Sequence, residues 1–152
     1  MNRNHITWVI AQSLFLAAIA IAAPLWPGDW PKALSLTLGT TTFLYAAWTG
    51  LRGVASLGQN RTPFPAPRPD SNLVTTGIYA IIRHPLYAAM MAMTLGWACF
   101  WSSPIALGIT TLFIAFLHAK ARFEESLLRT KFKTYPQYAA TVPRYLPRVL
   151  KH

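Results

Sequence analysis

Acidic side chains are scarce in this chain. Asp29, Asp70, Glu124 and Glu125 are the four among 152 residues, against fourteen lysines and arginines, leaving a formal charge of +10. Cysteine occurs once, at Cys99, so no internal disulfide can form, and a thiol inside an apolar run reads as a small buried hydrophobe. There is no GxSxG, which argues against a hydrolase nucleophile, and no GxGxxG, which argues against a Rossmann-type site. HExxH and other paired ligand spacings are also missing, so no metal centre is expected, although His84, His118 and two glutamates are suitable ligand types. No repeat of fixed period is visible.

Charged residues of both signs make up 12% of the chain and hydrophobic residues 53%, too apolar for an ordinary soluble domain of this size. Four uncharged apolar runs stand out, at 6–23, 33–51, 86–101 and 104–119. The first two hold 18 and 19 residues, about the length a helix needs to cross a hydrocarbon core of ~30 Å. The last two hold 16 each and are separated by Ser102 and Ser103 alone, which reads as a tight helical hairpin. The expected fold is therefore all-α and integral to the membrane, one domain over 1–152 with about four transmembrane helices. A cleaved signal peptide is the alternative for the first run, since Arg3 precedes it and small residues close it. Its length, and the odd number of spans its removal would leave, favour a retained span.

Lysine and arginine set the orientation. With the N-terminus in the cytoplasm, Arg3, Arg52, Arg61, Arg68, Arg83 and all basic residues from Lys120 to Lys151 lie inside, and Lys32 alone of the fourteen lies outside. The charge is thus a positive-inside pattern suited to anionic membrane lipids, and nucleic acid is not an expected partner. Trp26, Trp30 and Trp101 fall near the outer boundary, where amphipathic rings settle.

Between the second and third runs, residues 52–83 read as a cytoplasmic strap, kept extended by Pro63, Pro65, Pro67 and Pro69. Thr75 or Thr76 is placed to cap a short helix entered at Gly77, with Ile78, Ile81 and Ile82 facing lipid or protein. Pro85 suits the first turn of the third span. Beyond Ala119 the helical pattern continues through Phe123, Leu127, Leu128 and Phe132, opening a cytoplasmic extension, 120–152. Within it Thr134 is placed to cap a further short helix that includes Pro136 and Tyr138, before a proline-punctuated tail.

Polar groups gather at one level of this arrangement: Arg83 and His84 at the mouth of span three, His118 at that of span four, and Glu124 and Glu125 beyond it. His118 and Glu125 are seven apart and share a helix face, about 10 Å apart along the axis. Each residue has a plain reading as an interfacial anchor or a solvated ion pair. Together they make a polar pocket at the interface for a soluble ligand carrying both a cationic centre and a carboxylate.

The segments "LGQNRTPFPAPRPDSNLVTTGIYAIIRHPLY" and "ARFEESLLRTKFKTYPQYAATVPRYLP" carry R-H-P-x-Y, an apolar hairpin, E-E and Y-x-x-Y-x-x-x-V-P-R in that order. In this the chain resembles bacterial members of the isoprenylcysteine carboxyl methyltransferase and phospholipid methyltransferase superfamily, over roughly 57–147. The resemblance implies an integral-membrane enzyme of the bacterial inner membrane, both termini cytoplasmic. It would use S-adenosylmethionine as cofactor and transfer a methyl group to a lipidic or small apolar acceptor. Tyr79, Arg83, His84 and Tyr87 would form one wall of the cofactor site and Glu124 and Glu125 the other, with His118 adding to the contacts and the C-terminal extension completing the pocket. His84 and Arg144 are the candidates for work at the acceptor. The chain departs from its relatives at Ala89, where they often have glycine, and at Thr141, where they often have an arginine before Val-Pro. A membrane sterol- or enone-type reductase using NADPH shares an R-H-P-x-Y element and is the alternative enzyme; a non-enzymatic membrane scaffold is the third reading.

Overall fold

The computed structural model describes residues 3–60, 62, 64–65 and 69–148. Among these residues five helices form: α1 (Arg3–Leu25), α2 (Lys32–Leu57), α3 (Pro85–Phe100), α4 (Pro104–Lys131) and α5 (Tyr135–Thr141). Single 3₁₀ turns lie at Gly58–Asn60 and Gly77–Ala80, and no strand occurs among the described residues. Of the expected strap, Arg61, Pro63, Ala66, Pro67 and Arg68 fall outside the described residues, as do residues 149–152 of the tail.

The helix ends follow local chemistry. Pro85 and Pro104 occupy first turns, where a missing N–H goes unnoticed, and the Ser103 hydroxyl caps α4 by accepting from Ala106 N. The strap begins later than the end of the apolar run suggests, because nothing in "LRGVASL" breaks a helix, and α2 runs on until Gly58 turns to φ 52. Thr76 and Thr134 do precede short helices, yet neither side chain makes a capping bond. The first of those helices is one 3₁₀ turn, with Ile78 and Ile82 buried in protein and Ile81 43% exposed.

α3 is the central element. α2 packs along it on one side, α4 and α1 on the other, and α1 leans mainly on α4. Close approach of α2 and α3 depends on glycine: a Cβ on Gly96 would lie 2.5 Å from Thr42 Oγ1 and 2.6 Å from the Phe43 ring. At one end of the bundle the α3–α4 turn is tied to the α1–α2 connection, with Ser103 Oγ donating to Trp26 O at 2.6 Å and Gly28 N to Trp101 O at 3.2 Å. The two tryptophans there are exposed beside that turn.

Outward faces are apolar. Ile10, Leu14, Ile21, Leu36, Leu44, Leu51 and Leu112 are each more than half exposed, a surface that water would penalise and lipid would not. Among the described residues α1 and α4 are long and apolar enough to cross a bilayer; α3 is apolar but has 16 residues. α2 is long but rich in threonine, whose hydroxyls return to carbonyls of their own helix, Thr42 to Leu38 O at 2.7 Å and Thr49 to Tyr45 O at 2.8 Å. That is how a helix keeps polar groups satisfied away from water. Among the described residues the molecule is all-helical, with an outward surface suited to lipid.

Candidate functional site

Opposite the tryptophan end, the mouths of the helices hold the polar residues. Residues 83–84 follow the 3₁₀ turn outside any regular element, and the tail crosses them: Arg83 N donates to Pro143 O at 2.8 Å and His84 N to Arg144 O at 2.9 Å. The Arg83 guanidinium also donates to Ala139 O at 2.6 Å and to Val142 O, carbonyls at the end of α5 that the helix leaves unpaired. Tyr138 ties the same helix down through its hydroxyl, which donates to Tyr79 O at 2.6 Å. Tyr45, from α2, holds the tail by donating to Tyr145 O at 2.6 Å.

Glu125 is the hub. Arg83 Nη2 reaches its carboxylate at 3.0 Å, His84 Nε2 at 3.1 Å, and Arg144 grips it with Nε at 2.9 Å and Nη2 at 2.8 Å. This two-pronged pairing is the strongest form such a contact takes. Glu125 lies past the apolar run of α4 and is 4% exposed. Burial alone would raise its pKa, but the bonds from His84, Arg144 and Arg83 outweigh burial and hold the carboxyl well below the usual range.

Glu124 points elsewhere. Its carboxylate accepts from the Tyr87 hydroxyl at 2.6 Å and faces a cavity of about 450 Å³, within the range of small-molecule sites. Arg83, His84, Tyr79, Tyr87, Lys120, Tyr135 and Tyr138 line that cavity with Glu124, while Leu86, Ala89 and Met90 form its apolar side. The His84 and Tyr87 rings stack with centroids 5.3 Å apart. Two polar atoms of lining residues, Arg83 Nε and Tyr135 Oη, are buried without a hydrogen-bond partner. Burial raises the pKa of Tyr79 and Tyr135, and pushes Tyr138 up to about 12, so these phenols are neutral donors at physiological pH.

Of the residues singled out in the sequence, Tyr79, Arg83, His84, Tyr87 and Glu124 thus meet around one cavity. Glu125 and Arg144 do not line it; they form the ion cluster behind its Arg83–His84 wall. His118 does share a face with Glu125, but that face turns to the tail. It is exposed, with Nδ1 3.4 Å from the Tyr145 hydroxyl, and lies outside the cavity lining. Thr141 sits exposed at the end of α5, bonded back to Tyr138 O. Gln12, Lys120 and Tyr135 are lining residues that sequence reasoning passed over. The signal for Gln12 was there, an amide in the middle of an 18-residue apolar run.

Fold and site together define a small helical membrane protein with a mixed-charge cavity at one mouth of its bundle. The chain belongs to the phospholipid methyltransferase family, whose model matches residues 34–135. It is 27% identical over 98% of its length to the cobalt-zinc-cadmium resistance protein CzcN of Cupriavidus metallidurans, and 28% identical over 98% to the nickel-cobalt-cadmium resistance protein NccN of Alcaligenes xylosoxydans xylosoxydans. It spans about two thirds of those proteins, 66% and 67% of their lengths. Over 79 residues, 51% of the chain and 40% of the relative, it is 33% identical to protein-S-isoprenylcysteine O-methyltransferase B of Arabidopsis thaliana. Among the described residues no group of three or more His, Cys, Asp or Glu is placed to hold a metal ion.

Proposed function

We propose that the protein is a methyltransferase of a single domain, 1–152, with four membrane spans and both termini in the cytoplasm of a bacterial inner membrane. It uses S-adenosylmethionine and methylates a lipidic or small apolar acceptor. The observation that carries this reading is the cavity of about 450 Å³ at the helix mouths, where one carboxylate, Glu124, stands among Arg83, His84 and a set of tyrosines. His84, Lys120 and the tyrosine hydroxyls of the wall are the groups for a ligand carboxylate. Glu124 is the group for a ligand's ammonium or ribose hydroxyls, and Tyr79, Tyr87 and His84 complete the wall. The cofactor, when bound, supplies a methyl group on a positively charged sulfur.

The chain's own contribution is positioning. Glu125 and Arg144 fix Arg83 and His84 from behind, so the wall is set before any ligand arrives. The bundle encloses the site on its apolar side with Leu86, Ala89 and Met90, which keeps water from a reaction that loses charge as it proceeds. Isothermal titration of purified protein in detergent should give a dissociation constant in the micromolar range for S-adenosylhomocysteine, with Glu124→Ala weakening it at least tenfold. Heat with NADPH and none with S-adenosylhomocysteine would instead support the reductase alternative.

A further inference from the structure

Lys120 and Glu124 stand four residues apart on α4, and both line the cavity. That spacing puts them on one face of the helix, where opposite charges ordinarily close into a pair. Here they go separate ways. The Lys120 amine donates to Gln12 Oε1 at 2.6 Å, and the Glu124 carboxylate accepts from the Tyr87 hydroxyl at 2.6 Å. Tyr87 meets both, its ring centre 5.6 Å from the amine. Burial pushes the pKa of Lys120 down and the charge of Glu124 acts the other way, so the two attract each other through space.

Gln12 is what separates them. It reaches the cavity from α1, and its amide is fixed at both ends: Nε2 donates to Met90 Sδ at 3.4 Å, and the carbonyl faces Lys120 because a lysine can only donate. Lys120 is 2% exposed, so an ammonium there needs an acceptor within reach. Lysine ahead of glutamate is the weaker order for a pair on a helix, and one well-placed carbonyl is enough to divert the amine. Without that carbonyl, the carboxylate one turn along the same face is the acceptor that already attracts it. Gln12 lies outside residues 34–135 that match the family, so an element beyond the matched region governs two charges within it.

Resting on the methyltransferase reading above, we infer that Gln12 is a positioning residue: it holds the Lys120 amine off Glu124, so that the cavity offers a ligand a separate cation and a separate carboxylate instead of a pair that has neutralised itself. The ligand that gains is one with a carboxylate and an ammonium of its own, the amino-acid end of the cofactor. An adenosine end carries neither charge and is indifferent to whether Lys120 and Glu124 have closed on each other.

Isothermal titration in detergent with S-adenosylhomocysteine and with methylthioadenosine, which lacks the amino-acid end, separates this role from a structural one. Gln12→Met keeps the length of the side chain and loses the carbonyl; it should weaken S-adenosylhomocysteine at least tenfold and leave methylthioadenosine within about threefold of wild type. Weakening of both alike, or of neither, overturns the inference. A melting cycle tests the same separation with no ligand present. The losses caused by Lys120→Met and Glu124→Gln should fall short of additivity by at least about 3 °C more in the Gln12→Met background than in wild type, because there the two residues share one pair. An equal shortfall in both backgrounds overturns the inference. Should Gln12→Met fail to fold, Gln12→Leu takes its place in both measurements. The melting cycle decides alone if wild type gives no heat with methylthioadenosine; no heat with S-adenosylhomocysteine sinks the cofactor reading and leaves the cycle to judge the role of Gln12.

Discussion

Replacing Glu125 by glutamine takes the one negative charge from between Arg83 and Arg144, with His84 alongside, and leaves Arg83 buried without a counter-charge. Breaking a buried pair from one side costs about 3 kcal/mol or more. Glu125→Gln should therefore lower the melting temperature clearly. The same carboxylate predicts a pH dependence. Its folded pKa is depressed, so its stabilisation is present above the unfolded value of about 4.3 and is lost as pH falls through and below it. Melting of the wild type should stay level from neutral pH to about pH 5 and then fall, and Glu125→Gln should flatten the part of that fall due to this residue. The sequence presented Glu124 and Glu125 as a pair facing one ligand. Neighbours on a helix point about 100° apart, so one faces the cavity and the other the tail, a division visible only once the tail is in place.

At the scale of elements, the apolar runs and the prolines at 85 and 104 were enough to place α1, α3 and the start of α4 to within a few residues, because membrane helices are written in length and polarity, and the helical spacing past Ala119 carried α4 to its end. α2 was less legible at its end, since helix propensity past Arg52 depends on no apolar signal and stops only at Gly58. The α2–α3 seam could not be read at all, as glycine spacing does not say which helix it will meet. That seam is open to a direct test. Gly96→Val puts branched carbon where even a Cβ would sit 2.5 Å from Thr42 Oγ1, and overpacking of this kind costs about 1 to 3 kcal/mol. A drop in melting temperature with unchanged helical circular dichroism at low temperature is the expected result. The control is Gly108→Val, where a Cβ meets nothing within 4 Å, with little change beyond that due to helix propensity.

For the molecule as a whole, the proposed topology puts the tryptophan end outside and the cavity inside. In a Cys99→Ala background, which removes the single cysteine, Asp29→Cys should react with a membrane-impermeant maleimide in intact cells. Lys133→Cys should react only after the membrane is opened. Both positions are exposed, so a reversed labelling pattern would overturn the orientation. The helical bundle was legible in the sequence because lipid imposes length and polarity on its helices residue by residue. The assignment of Glu125 and Arg144 to an ion cluster was not, because it depends on contacts between positions 19 and more residues apart.

The backbone bonds from Arg83 and His84 to Pro143 and Arg144 also impose an order on biosynthesis. Helices α1 to α4 can form while translation continues, but the wall of the cavity closes only after residues 142–145 have cleared the ribosome. A nascent chain stalled before that point would lack the bonds that close the wall, so a closed wall reports that Tyr145 has left the ribosome.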